Sequence, residues 1–223
     1  MRIGGMATES PAYRSNVMIP KDAARLWEEL RHREPEEKLE WIRELARNPT
    51  PDSIEVLLDV LKQESWFLRD QAARALATLG EQVVEPLIVY LNSGLWYTRT
   101  AAASALGRMG LPIAAAPLVA LLKDPNRTVR DAARDALVQV CGNDLGRFEV
   151  AVALHGLPER ARRFALDGLA ARDPEIAERV AGLMHDPTLP DMADRRHLAR
   201  AVNEGGLRWE DVVGDEEAER ESG

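Results

Sequence analysis

A fifteen-residue segment occurs three times in this chain, and its spacing restricts the fold more than any other feature. Trp66-Phe-Leu-Arg-Asp-Gln-Ala-Ala-Arg-Ala-Leu-Ala-Thr-Leu-Gly80 returns thirty residues later as Trp96-Tyr-Thr-Arg-Thr-Ala-Ala-Ala-Ser-Ala-Leu-Gly-Arg-Met-Gly110. A third copy, Arg127-Thr-Val-Arg-Asp-Ala-Ala-Arg-Asp-Ala-Leu-Val-Gln-Val-Cys141, is offset by thirty-one. Such a period marks a stack of supersecondary units, because one unit of that size buries its apolar face only against a neighbour.

Within the first copy Ala72, Ala75, Leu76 and Leu79 stand at i, i+3, i+4 and i+7, the stripe of an amphipathic α-helix. The alanines let helix axes approach closely, and the leucines supply most of the buried area, at ~25 cal/mol per Å². Gly80 and Gly110 fall where a helix end takes a left-handed residue. A second helix follows, since Val83 to Leu91 matches Ala114 to Leu122 with one residue inserted. Pro86 and Pro117 lie in its first turn, where their missing N–H costs nothing. Ser93 and Asp124, six residues before the repeat arginines Arg99 and Arg130, are expected to cap the next helix.

Asp124-Pro-Asn-Arg-Thr-Val-Arg-Asp-Ala-Ala-Arg-Asp-Ala-Leu137 resembles the HEAT-repeat signature, in the variety called phycobilisome-lyase HEAT-like repeats, and Gly80 to Ile88 resembles the second helix of that family. The likeness covers residues 65–141. It implies an all-α, right-handed α-solenoid of antiparallel helix pairs, with the second helices lining the concave side.

The period extends in both directions. Leu39, Ile42 and Leu45 mark one upstream helix, and Ile54, Leu57, Leu58 and Leu61 mark another, with Asn48 to Asp52 as the turn between them. Downstream, Phe148 to His155 reads as a second helix, and Glu159 to Ala171 with Pro174 to His185 as a further pair. The count is about five helix pairs. Ala23, Leu26, Trp27 and Leu30 supply an N-terminal capping helix, and Met192, Arg195, Leu198 and Val202 a C-terminal one. The predicted organisation is a flexible segment over 1–20, a HEAT-like repeat domain over 21–206 and an acidic, disordered tail over 207–223.

Charge is unevenly placed along this organisation. The chain carries a formal −8, but residues 210–223 hold seven acids against Arg220, so the body before them is close to neutral. A body without surplus positive charge lacks the basic stripe that duplex binding requires, so nucleic acid is not the expected partner. The apolar stretch Leu111 to Leu122 is short of the ~20 residues of a spanning helix and contains two prolines, so no membrane span is expected. One cysteine, Cys141, and an N-terminus without an apolar run are the pattern of a cytoplasmic protein.

Signs of catalysis are few. His32, His155, His185 and His197 are scattered without metal-ligand spacing, Cys141 has no nearby partner, and phosphate-cradling or nucleophile-elbow glycine motifs are missing. Carboxylate pairs such as Glu36 with Glu37, or Asp52 with Glu55, read as solvated helix surface. Neither a metal nor a cofactor is implied.

Three sets of residues remain as candidates for function. Arg69, Arg99 and Arg130 recur at one repeat position. They are either a ladder for an anionic ligand or structural groups bonding loop carbonyls and a neighbouring acid, and the near-neutral body favours the second. Trp66, Phe67, Trp96 and Tyr97 open successive first helices and form a candidate aromatic ridge, or else pack between repeats. On the second helices, Asp52, Glu55 and Asp59 align with Gln82, Glu85 and Val89, then with Ile113, Ala116 and Ala120, then with Leu145, Phe148 and Val152. These positions lie off the inward stripe and are assigned to the concave face, which passes from acidic to apolar.

The expected function is a non-enzymatic protein–protein interaction scaffold, whose concave face takes a protein or peptide carrying a basic amphipathic segment. The alternative is an enzyme on the same scaffold, a bilin lyase subunit or an alkylpurine DNA glycosylase of HEAT-like type. Fold likeness alone supports it.

Overall fold

The computed structural model describes residues 22–63, 65–186 and 189. Among them are eleven α-helices and no strand. In chain order these are α1 (Ala23–Arg31), α2 (Pro35–Arg47), α3 (Pro51–Gln63), α4 (Trp66–Ala77), α5 (Val84–Tyr90), α6 (Trp96–Met109), α7 (Ala115–Leu121), α8 (Arg127–Val140), α9 (Asp144–His155), α10 (Glu159–Ala170) and α11 (Pro174–Leu183). The segment 1–20, the helix expected through Met192, Arg195, Leu198 and Val202, and the tail over 207–223 lie outside the described residues.

The helices form two layers, as the repeat requires. First helices stack in the order α2, α4, α6, α8, α10, while α1 packs on α3, and α7 on α9 and α9 on α11, in the second layer. Second helices also reach forward, α5 packing on α6 and α7 on α8. One apolar core runs through the stack, with Leu26, Leu45, Leu57, Leu76, Leu106, Leu118 and Leu137 fully buried along its length.

Small residues set the helix spacing. A Cβ built on Gly107 of α6 would lie 2.6 Å from the Ala136 Cα of α8, so the two backbones touch. Only glycine opposite alanine permits that approach. On α4 the buried stripe is Leu68, Ala72, Ala73 and Leu76, with Ala75 and Leu79 half-buried at its margin. It is broader than the i, i+3, i+4, i+7 pattern because α4 is flanked on both sides by first helices.

Helix ends explain several of the punctuating residues. Gly80 and Gly110 take the left-handed conformation, with φ of 71° and 63°. Short 3-10 turns, Gly80–Val83 and Pro112–Ala114, then lead into α5 and α7, where Pro86 and Pro117 occupy the first turn as expected. The capping assignment of Ser93 and Asp124 is corrected. The N-cap of α8 is Asn126, whose side chain accepts from the Thr128 N–H, and that of α6 is Leu95, without a side-chain cap. α9 begins at Asp144, four residues before the expected start, because Asn143 caps it through the Gly146 N–H. Ser65 and Asp173 cap α4 and α11 in the same manner.

One buried polar contact ties non-adjacent elements together. The Thr98 hydroxyl of α6 donates to the Leu61 carbonyl near the end of α3, 3.1 Å away. Thr98→Val keeps the shape but removes the donor, so the stability should fall by about 1 kcal/mol. Urea denaturation of the two proteins measures the difference, and equal midpoints would mean that this bond adds nothing.

Candidate protein-interaction surface

The repeat arginines make contacts within the protein. Arg99 places Nε 2.7 Å and Nη2 2.8 Å from the two carboxylate oxygens of Asp124, and its Nη1 donates to the Ser93 carbonyl at 2.8 Å. Arg130, buried on α8, donates from Nη1 to the Asp124 and Pro125 carbonyls at 2.9 and 3.2 Å. Each guanidinium therefore bonds the carbonyl six residues earlier, and Asp124 couples one repeat to the next. Arg69 stacks on the Tyr97 ring, 4.4 Å from its centroid. At this repeat position the side chains are engaged by loop carbonyls, by Asp124 and by the Tyr97 ring.

Arg147 joins this set although the sequence did not place it there. Its Nη1 donates to the Cys141 carbonyl, again six residues earlier, at 2.8 Å. The offset of six is the same, but Arg147 stands on a second helix, outside the first-helix repeat that relates Arg69, Arg99 and Arg130. A further ladder crosses the outer surface of the first helices. Arg108 reaches back to Asp70 at 3.0 Å, and Arg172 to Asp131 at 3.0 Å and Asp135 at 2.6 Å. Asp70 and Asp131 occupy the same repeat position.

The aromatic pairs lie at the edge of the stack and remain accessible. Trp66 is 74% exposed, and Phe67 and Trp96 are also exposed. Trp66 meets Phe67 edge-on at 6.0 Å between centroids, and Trp96 meets Tyr97 at 5.8 Å. Arg69 over Tyr97 and Lys62 over Tyr90, 4.8 Å from the ring, join adjacent repeats along this edge. The Lys62 pKa is raised: burial works against its charge, but hydrogen bonds to Asp59 and Tyr90 outweigh that.

The second-helix positions divide by burial. Glu55, Gln82, Glu85, Val89, Ile113 and Leu145 are exposed, and Asp52, Asp59, Ala120 and Phe148 are half-buried. Val89 is 66% exposed, an apolar side chain that internal packing does not use. Ala116 and Val152 are each 4% exposed and are withdrawn from the surface. They stand on α7 and α9, which pack on each other and on α8. An exposed strip thus runs over α3 and α5, acidic at Asp52, Glu55, Asp59 and Glu85 and apolar at Val89, with Lys62 over Tyr90 closing its end.

Cys141 is buried, and burial pushes its thiol up to about 12. Among the described residues no group of three or more His, Cys, Asp or Glu converges as metal ligands, and no helix is long and apolar enough to cross a membrane.

These features define the class as a helical-repeat protein with an open surface. The family model for HEAT repeats matches residues 23–88 and 80–138, and the chain belongs to that family. Two crystal structures of engineered proteins from the Northeast Structural Genomics Consortium resemble it at 19% and 20% identity, with TM-scores of 0.39 and 0.36. They cover 81% and 83% of this chain, and 97% and 100% of their own. Likeness at that level carries no argument about function. A comparison with curated proteins finds no match.

Proposed function

We propose that the chain is a non-enzymatic interaction scaffold whose α3–α5 strip binds a protein or peptide through a basic, amphipathic segment. The observation that carries this reading is Val89, exposed on α5 one turn after the exposed Glu85, with Gln82 exposed in the 3-10 turn before the helix. An apolar anchor beside acids suits a helix with an apolar stripe and a basic flank. HEAT repeats offer extended surfaces of this kind because each unit contacts only its neighbours and leaves one face of every helix to solvent.

The experiment uses a synthetic helical peptide of leucine and lysine in heptads as probe. Binding to the parent chain, Glu85→Lys and Val89→Lys is measured by titration calorimetry, and all three are melted. Both variants should bind about tenfold more weakly or worse, a change of ~1.4 kcal/mol, with unchanged melting curves. Equal affinities would remove the strip as the binding surface, and a lowered melting temperature in Val89→Lys would make residue 89 part of the core.

A further inference from the structure

A second surface, on the last two helices, carries the opposite charge. A cleft of roughly 360 Å³ between α10 and α11 is lined by Arg162, Arg163, Leu166, Ala181, Met184 and His185, and by one acid, Glu159. Most arginines of the stack are neutralised by a neighbour, as Arg43 is by Glu40, Arg74 by Asp70 and Arg179 by Glu175. Among the described residues, Arg162 and Arg163 have no acidic partner. His185 directs Nδ1 at the Ala181 carbonyl, 2.8 Å away, which leaves Nε2 as the outward nitrogen. The cleft therefore combines two guanidiniums that form no ion pair among the described residues, a net positive charge even with Glu159 counted, and the apolar side chains of Leu166, Ala181 and Met184. An acidic segment with apolar anchors is the ligand that such a surface selects.

The sequence supplies such a segment a short distance on. Trp209-Glu-Asp-Val-Val-Gly-Asp-Glu-Glu217 sets one aromatic and two valines among five acids, and Glu219 and Glu221 continue the charge. Trp209 follows Asp186 by 23 residues, ample to reach a cleft whose own wall includes Met184 and His185. After α11 the chain turns back toward the body: the Leu189 N–H donates to the Asp186 carbonyl, and Leu189 is buried. Tethering makes the encounter intramolecular, which raises the effective concentration of the segment at the cleft above that of a free peptide.

We propose that the acidic segment 207–223 docks in cis on the α10–α11 cleft, its carboxylates on Arg162 and Arg163 and its Trp209, Val212 and Val213 against Leu166, Ala181 and Met184. The contact is electrostatic at its rim and apolar at its centre. It is weakened by salt, because the Debye length falls from ~10 Å at 0.1 M to ~3 Å at 1 M ionic strength. The surface proposed for partner binding on α3 and α5 is not involved, so the two readings stand or fall separately.

The test uses the full chain. Because Cys141 is buried with its thiol pushed up to about 12, Ser222→Cys supplies the one reactive thiol for a paramagnetic label. Amide signals of α10 and α11 around Arg162, Arg163 and His185 should then lose intensity at low salt. They should recover in 1 M salt and in the double variant Arg162→Glu/Arg163→Glu. Circular dichroism establishes that the double variant is folded, and the salt series on the parent sequence is an independent arm if it is not. Intensities unchanged at low salt, loss centred on another surface, or loss unaffected by both salt and charge reversal would overturn the proposal. Loss that appears only between labelled and unlabelled copies in a mixed sample would overturn docking in cis.

Discussion

Arg99→Ala is expected to destabilise the fold by about 3 to 5 kcal/mol, the cost of stranding one member of a buried ion pair. Arg99 and Asp124 are only 12% and 6% exposed, and the guanidinium grips both carboxylate oxygens while also holding the Ser93 carbonyl. Removal leaves the Asp124 carboxylate with the Asn126 N–H, 2.8 Å away, and leaves the Ser93 carbonyl without its donor. The loss falls between two repeats and so should weaken the whole stack rather than one end. Arg25→Ala is the control. Its pair with Glu29 is largely exposed, and such pairs contribute ~0 to 1 kcal/mol. Urea midpoints of both variants decide the matter: equal small shifts would show that Asp124 finds solvent once Arg99 is gone. The double variant Arg99→Met/Asp124→Leu should recover most of the loss, since apolar residues of similar volume leave no buried charge behind.

That pair also shows what the sequence made legible. The thirty-residue period shows which residues are equivalent, and equivalence alone places Arg99 and Arg130 in corresponding environments. Near-neutral charge then favoured cohesion over ligand binding, and the bonds to Asp124 and to the loop carbonyls are of that kind. The same logic misplaced Ser93 and Asp124 as caps. An Asp ahead of a helix is a cap by local rules, but here the long-range demand of Arg99 holds the Asp124 carboxylate, and Asn126 takes the capping role.

The surface was read less well for a different reason. Helical spacing says which positions avoid the packing stripe of one partner, but α7 has two neighbours besides its own repeat, α8 and α9. Ala116 and Val152 therefore sit in a second contact that no single-helix period encodes. α5 meets its neighbours mainly through α6, and its residues Glu85 and Val89 remain outward as the alignment required. The aromatic pairs could not be assigned from sequence, because Trp and Tyr serve cores and interfaces alike. Their exposure at the edge follows from placement on the first turn of α4 and α6, beyond the reach of the adjacent first helices.

Gly146→Ala should have the largest effect of any single methyl group added to this chain. The new Cβ would lie 1.8 Å from the Val140 carbonyl oxygen and 2.8 Å from its carbon, a collision with backbone and not with a side chain that can rotate away. Overpacking in a core costs ~1 to 3 kcal/mol where side chains can give, and here they cannot. Relief requires α9 to slide off the end of α8, which also pulls the Asn143 side chain from the Gly146 N–H, a 2.8 Å bond that caps α9. In a stack held by nearest-neighbour contacts the damage should stay local: α9, α10 and α11 lose amide-exchange protection while α4, α6 and α8 keep theirs. Gly182→Ala provides the opposite sign. Its Cβ would enter open space within α11, and replacing a helical glycine by alanine there should stabilise by ~0.5 to 1 kcal/mol. Hydrogen exchange followed by mass spectrometry reads both variants. Parent-like protection of 144–183 in Gly146→Ala would mean that the close approach of α9 to α8 is not required, and a uniform loss across all helices would mean that the stack unfolds as one unit instead of repeat by repeat.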